Sequence, residues 1–121
     1  MNTTTNEINT VGGKIDINEI VKSCREFDIN QIHKYIARSG AISMSWGFRN
    51  AVIIKNNLAY RFTVSGYHHK GHVYIVLNAS DLFDIYYTSN RGTIKKIEKD
   101  VYIEDLLNIL DKDIEYIKAY K

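Results

Sequence analysis

The amino-acid sequence predicts an α+β fold in which helices pack mainly on one face of an antiparallel sheet. Between Leu58 and Leu77, apolar and polar residues alternate on both sides of a short polar segment. Between Ile103 and Ile117, apolar residues recur at steps of three and four. The first spacing is typical of a β-hairpin with one buried face and the second of an amphipathic helix. Together they predict a sheet covered by at least one helix.

The length and composition indicate one intracellular domain. A chain of 121 residues suits a single core, so we assign residues 15–121 to one α+β domain and residues 1–14, which lack periodicity, to a flexible tail. The net charge of +2 is too small to indicate a nucleic-acid or membrane partner by itself. The single cysteine, Cys24, fits a reducing compartment, and no apolar run is long enough to span a membrane. We therefore expect a cytoplasmic protein.

Two short helices are predicted before the sheet. Asp16 followed by Glu19 is a capping box, and Asp28 followed by Gln31 repeats the signal twelve residues later. Apolar residues at helical spacing follow each cap, and Ser39-Gly40 supplies a stop for the second helix.

The predicted sheet has four or five strands connected as a meander. Segments of period-two alternation are separated by short turn-like connections, so consecutive strands are expected to be antiparallel neighbours. The strand segments are residues 41–48, 51–55, 58–65, 73–77, 83–88 and 93–98. The first two are either separate strands or one strand interrupted by a bulge between Gly47 and Asn50.

The face opposite the helices is the predicted binding surface. Hydroxyl, aromatic and cationic side chains with few acids suit recognition of a macromolecule, although Tyr and Thr are common in any sheet. The residues expected on this face are Ser43, Ser45, Arg61, Thr63, Ser65, His72, Tyr74, Tyr86 and Thr88. The loop from Tyr67 to His72 and the sheet edge extend the surface. The candidate binding residues are therefore Arg49, Arg61, Thr63, His68, His69, Lys70, His72, Tyr74 and Tyr86.

The single tryptophan lies in the segment from Ser45 to Arg49. Trp46 is expected to anchor the core beneath the C-terminal helix. The alternative is a protein-binding hot spot formed with Phe48 and Arg49 at the sheet edge.

A metal site is the first chemical alternative for the histidine-rich loop. His68, His69 and His72 lie within five residues, and Cys24 or His33 would complete a set of ligands that suits zinc. No paired spacing of Cys or His supports this arrangement, so we expect no metal and no other cofactor.

Nucleic acid is the second alternative. The segment from Lys70 to Ile75 resembles part of a strand signature of the RNA recognition motif, although the order of helices and strands differs from that family. This difference excludes the family. The chemistry of the side chains still suits single strands: His72 and Tyr74 on an open sheet would stack on bases, with Arg61 and Lys70 supplying charge. The paired N-terminal helices separately suggest a helix-turn-helix, with groove-facing candidates Gln31, His33, Lys34 and Arg38.

No enzyme motif is present in the sequence. There is no Gly-x-Ser-x-Gly elbow and no glycine-rich phosphate loop. Asp81 or Asp84 with a loop histidine is the one acid/base pair to consider, and the sequence cannot place these residues together. We expect no enzymatic activity.

We therefore expect a small non-enzymatic protein that binds another macromolecule, first of all a protein, through the sheet face and the hairpin loop. A single-stranded nucleic-acid binder using the same face is the alternative, and a small metal-dependent or hydrolytic enzyme is the third hypothesis. A homodimer through an edge strand or that face would need no other partner. The composition resembles that of accessory proteins of phages and mobile elements in AT-rich bacteria, which implies inhibition of a host defence system as one form of binding.

Overall fold

A computed structural model of the chain describes residues 9–38 and 46–114. Its helices are α1 (Ile17–Ile20), which continues as a 3-10 turn (Val21–Ser23), α2 (Ile29–Ala37) and α3 (Ile103–Ile114). Its strands are β1 (Arg49–Ile54), β2 (Ala59–Ser65), β3 (Lys70–Leu77), β4 (Phe83–Thr88) and β5 (Ile94–Val101).

The five strands form one antiparallel sheet in the order β1-β2-β3-β4-β5. This confirms the predicted α+β meander. The predicted strand at residues 41–48 is not confirmed, because residues 46–48 belong to a turn region before β1 and residues 41–45 lie outside the described part of the chain. The stop signal Ser39-Gly40 and the helix beyond Ile114 also lie outside the described residues.

The two predicted N-terminal caps are confirmed. The side chain of Asp16 accepts a hydrogen bond from the backbone N–H of Glu19, and that of Asp28 accepts one from the N–H of Gln31. Each bond satisfies an amide that has no partner within its helix. The carboxylate caps therefore set where α1 and α2 begin.

The main core lies between one face of the sheet and the helices α2 and α3. Each helix contributes three buried aliphatic residues, and the sheet contributes alternate residues of its central strands. This cluster comprises Ile29, Ile32, Ile36, Trp46, Tyr60, Phe62, Val64, Val73, Ile75, Phe83, Ile85, Tyr87, Val101, Leu106, Leu110 and Ile114.

A smaller apolar cluster lies on the opposite face of the sheet. The α1 segment packs there through Ile20 and Val21, because the chain crosses the end of the sheet between α1 and α2. The strands contribute Ala59, Tyr74, Val76, Tyr86 and Ile94. Two helices therefore cover one face and the third covers part of the other.

The hairpin loop between β2 and β3 is attached to the end of α3. The backbone N–H groups of His68 and His69 donate to the carbonyl oxygen of Ile114 at 2.7 and 3.2 Å. At Gly66, a Cβ atom would overlap with Ile114. The loop is thus bonded to the backbone of α3 at Ile114, and this gives the histidine-rich sequence a structural role.

The sheet continues past the start of β5 into the N-terminal segment. Gly12 N–H donates to the oxygen of Ile94, and Ile94 N–H donates to the oxygen of Gly13, both at 2.8 Å. Lys14 forms a bridge with Thr93. The last residues of the predicted tail therefore pair with the sheet. No helix in the described ranges is long and apolar enough to cross a membrane.

Candidate functional site

The predicted open face is largely buried. Thr63, Tyr74, Tyr86 and Thr88 are only 4, 7, 5 and 0% exposed. Tyr74 and Tyr86 belong to the cluster that α1 covers. The expectation that these side chains are displayed to solvent is wrong. For Tyr74 and Tyr86 the reason is that a four-residue helix with its 3-10 turn packs on the face that the prediction left uncovered.

His69 of the loop does not join that face either. His69 is 6% exposed, its ring meets Tyr87 edge-on with centroids 5.3 Å apart, and its Nε2 lies 3.2 Å from the oxygen of His72. Burial lowers the pKa of His69 below its ordinary value. His68 and Lys70 are exposed. His69 is therefore part of the packing beside α3 and not a displayed residue.

Four of the predicted residues do come together at one corner of the sheet. Arg49 is the register partner of Thr63, which is in turn the partner of His72, and Arg61 lies two residues before Thr63 on the same face. The Oγ1 of Thr63 is 2.9 Å from Nδ1 of His72. We call Arg49, Arg61, Thr63 and His72 the arginine site.

The arginine site is held by its neighbours. Nη1 of Arg49 donates to the oxygen of Gly47 at 2.8 Å and to Oγ of Ser65 at 3.0 Å. A bulge in β1 between Arg49 and Val52 alters the strand register next to this arginine. The guanidinium of Arg49 stays exposed, whereas Arg61 and His72 are half-buried.

The electrostatics of the arginine site favour an anion. Burial, together with the positive charges of Arg61 and Arg49, lowers the pKa of His72 below its ordinary value. Within the described ranges, neither arginine forms an ion pair with a carboxylate, and the buried Nε of Arg61 has no hydrogen-bond partner. Two cations beside a neutral imidazole can therefore receive a negative group without displacing an acid of the protein.

One sequence signal for this site was missed. The sequence contains no Asp or Glu between Asp28 and Asp81, so β1, β2 and β3 carry cations and no acids. At the other edge of the sheet, charges are matched: Nζ of Lys96 lies 2.6 Å from Oδ1 of Asp113 and 3.5 Å from Oε2 of Glu98. The net charge of +2 does not indicate this uneven distribution of acids between the two edges of the sheet. The spacing of Asp and Glu along the chain does indicate it.

The strand β1 forms the edge of the sheet beside the arginine site. In the part of the chain that the structure describes, β1 pairs only with β2, and Val52 and Ile53 are 38 and 50% exposed. A cavity of about 170 Å³ lies at this edge, between α2 and β1. It is lined by Ile29, Asn30, His33, Ala51, Val52, Ile53 and Tyr60. The edge therefore has an apolar recess on one face and cations on the other.

The other chemistries considered from the sequence find less support in this geometry. Among the described residues, no three His, Cys, Asp or Glu side chains are grouped to hold a metal ion. Asp81 is paired with Arg25 and lies near the far end of β3 from the loop histidines, about 25 Å away at ~3.3 Å per residue. Asp84 lies at that same far end, where Asn78 holds it at 2.9 Å. The proposed acid/base pair is therefore not assembled.

The helix-turn-helix arrangement is also not formed. In that motif two neighbouring helices pack together so that the second enters the major groove. Here the α1 segment packs on one face of the sheet and α2 on the other. A groove of about 580 Å³ beside α2 carries both Lys34 and Arg38 and the acids Asp28 and Glu104, so it has no preference for one charge.

No protein-family model, no curated protein and no solved structure matches the chain. The fold and the site define a class: a small α+β domain with a five-stranded meander in which the edge strand β1 and its neighbour β2 carry two arginines and no acid.

Proposed function

We propose that the protein is a small non-enzymatic binding module that receives an acidic segment of another protein at the arginine site. The observation that carries the proposal is that Arg49 and Arg61 lie beside His72 with no carboxylate paired to either in the described ranges. Carboxylate groups match the planar donors of a guanidinium, which can bind them with two parallel hydrogen bonds.

The form of the surface supports a protein partner. Exposed Val52 and Ile53 lie next to the cations, so a partner would meet apolar area and charge together, as in protein interfaces. Arginine is enriched among interface residues that contribute most to affinity. In the mobile-element setting that the composition resembles, such a partner would be a host defence protein in the cytoplasm.

Single-stranded nucleic acid remains the alternative ligand for the same cations. Binding of that kind depends on aromatic rings that stack on bases, worth ~1–3 kcal/mol per base. Tyr74 and Tyr86 are 7 and 5% exposed, so neither offers a ring face on the sheet, and the exposed ring of Tyr67 lies in the hairpin loop. The sheet face beside the arginines therefore favours carboxylates over nucleotides.

The test compares two double variants with the same net charge. Arg49→Gln/Arg61→Gln removes the site, and Lys95→Gln/Lys99→Gln removes two exposed cations from the opposite edge strand. The probes are a fluorescent polyglutamate peptide and a single-stranded oligonucleotide, each titrated by fluorescence polarisation. We expect the peptide to bind the wild type and the lysine variant alike, and to bind the arginine variant at least about tenfold more weakly.

Two results would contradict the proposal. Equal weakening by both double variants would show attraction to net charge and not to a site. Tighter binding of the oligonucleotide than of the peptide, lost in the arginine variant, would assign the site to nucleic acid.

A further inference from the structure

We propose that the acidic segment binds as a sixth strand on β1, and that it alternates aliphatic and acidic residues. This inference rests on the proposed function and adds the conformation and the sequence pattern of the partner. Strand addition at a sheet edge provides affinity through main-chain hydrogen bonds and specificity through alternate side chains.

The backbone of β1 has hydrogen-bonding groups directed away from the sheet. The N–H of Ser65 donates to the oxygen of Trp46, so backbone groups of odd-numbered residues in β2 face β1. Arg61 is therefore hydrogen-bonded across to its register partner Val52. Ile53, the next residue, directs its N–H and C=O to the outside, where the described chain has no further strand.

The two faces of the β1 edge favour different side chains in an added strand. On the face of the arginine site, a residue of an added strand would lie beside Arg49 and Val52. On the face that packs against α2, it would lie beside Ile53 and the cavity of about 170 Å³. That volume is of the order of one aliphatic side chain and well below the ~300–1,000 Å³ of small-molecule pockets.

Because neighbouring residues of a strand point to opposite faces, one extended segment can satisfy both requirements. Every second residue is aliphatic and enters the cavity side. The residues between them are Asp or Glu and meet the arginines.

Charge decides between this occupant and a second copy of the chain. An antiparallel pair of β1 strands would bring the cations Arg49 and Lys55 of the two copies close together with no acid on either strand. Like charges placed opposite each other destabilise a strand pair. An acidic segment has the opposite effect, so the edge selects it over self-association.

The test uses two capped peptides of the same composition, Val-Glu-Val-Glu-Val-Glu-Val and Val-Val-Val-Val-Glu-Glu-Glu. We expect the alternating peptide to bind more tightly and to protect the Ile53 amide from hydrogen exchange. Two N-methylated forms of the alternating peptide are also used, one methylated at the valines and the other at the glutamates. Because successive N–H groups of a strand point to opposite sides, only one of these forms has its blocked N–H groups on the side facing β1. That peptide should bind at least about tenfold more weakly, because it loses every main-chain hydrogen bond that it would donate to β1.

The outcomes separate this inference from the function on which it rests. Strand addition would be overturned if the alternating peptide and its N-methylated form with blocked N–H groups facing β1 bound with equal affinity. If Arg49→Gln/Arg61→Gln still abolished the binding of both, the acidic-segment proposal would stand. No binding of either peptide would overturn both. Protection of the Ile53 amide that rises with protein concentration in the absence of peptide would replace the acidic segment with a homodimer.

Discussion

Nε1 of Trp46 donates a hydrogen bond to Oδ1 of Asp111, at 2.9 Å, and so joins the turn before β1 to the C-terminal helix. Trp46 is fully buried and stacks on Phe62 with ring centroids 6.5 Å apart. This confirms the sequence-based expectation that the tryptophan anchors the core beneath α3.

Replacing this residue should weaken the fold. Trp46→Phe removes the indole N–H and part of the buried ring, so the free energy of unfolding should fall by about 2 kcal/mol. The measurement is urea unfolding followed by circular dichroism. Tyr102→Phe, at a side chain that is 57% exposed, is the control and should change the stability by less than about 0.5 kcal/mol.

Gly66 should tolerate no side chain. Gly66→Ala places a Cβ against the carbonyl of Ile114, so the loop must move away from α3 and its two amide hydrogen bonds weaken. We expect a loss of about 2–3 kcal/mol, measured by thermal unfolding. Gly12→Ala has open space around its Cβ and should cost about 1 kcal/mol through its positive φ alone. Equal losses in the two variants would contradict the close packing.

The ion pair between Lys96 and Asp113 should make stability depend on pH at the acid end. Burial alone would raise the pKa of Asp113, but hydrogen bonds to its carboxylate, among them the one from Nζ of Lys96 at 2.6 Å, outweigh burial and hold the pKa below its ordinary value. A lowered carboxyl pKa contributes stability above the unfolded pKa of about 4, and this contribution is lost as the pH falls through the folded value. Asp113→Asn should therefore cost about 2 kcal/mol at pH 7.

The cost of Asp113→Asn should shrink on acidification, because the wild-type carboxyl becomes protonated as well. Urea unfolding at pH 7 and pH 3 measures this change. Glu104→Gln, at an exposed position in the first turn of α3, serves as the control. A cost that stays constant between the two pH values would contradict the role of the charge.

Acidification should also lower the free energy of unfolding through two histidines. Burial lowers the pKa of both His69 and His72, so near pH 6 the unfolded chain binds more protons than the folded one. Stability then falls as the pH drops below about 6.5, the ordinary value for histidine. We expect His69→Gln to show a shallower decline than the wild type between pH 7.5 and 5. His68→Gln, which changes an exposed side chain in the same loop, should decline as the wild type does.

We expect Arg61 to destabilise the fold. Its buried Nε has no hydrogen-bond partner among the described residues, and its charge lowers the pKa of His72. Arg61→Met should raise the free energy of unfolding by about 1 kcal/mol and raise the pKa of His72, which an NMR titration can follow. Lys55→Met, at an exposed turn, is the control for added hydrophobicity. A destabilised Arg61→Met protein would show that the guanidinium has a structural role.

Much of the fold could be predicted because its signals are local. The caps at Asp16 and Asp28 and the alternation in the central hairpin each depend on a few neighbouring residues. The candidate site was predicted less well. Arg49, Arg61, Thr63 and His72 were named and do lie together, but Tyr74, Tyr86 and His69 were named as well and are buried.

The sequence by itself determined the α+β class and the strand order, because hydrophobic period and short connections allow few other arrangements. Only the tertiary structure decided which face of the sheet each helix covers. A short amphipathic helix such as α1 has one apolar side that fits either face, and its path across the end of the sheet depends on long-range contacts such as Arg25 with Leu77. That choice buries Tyr74 and Tyr86, whereas Arg49 stays exposed on the edge strand β1.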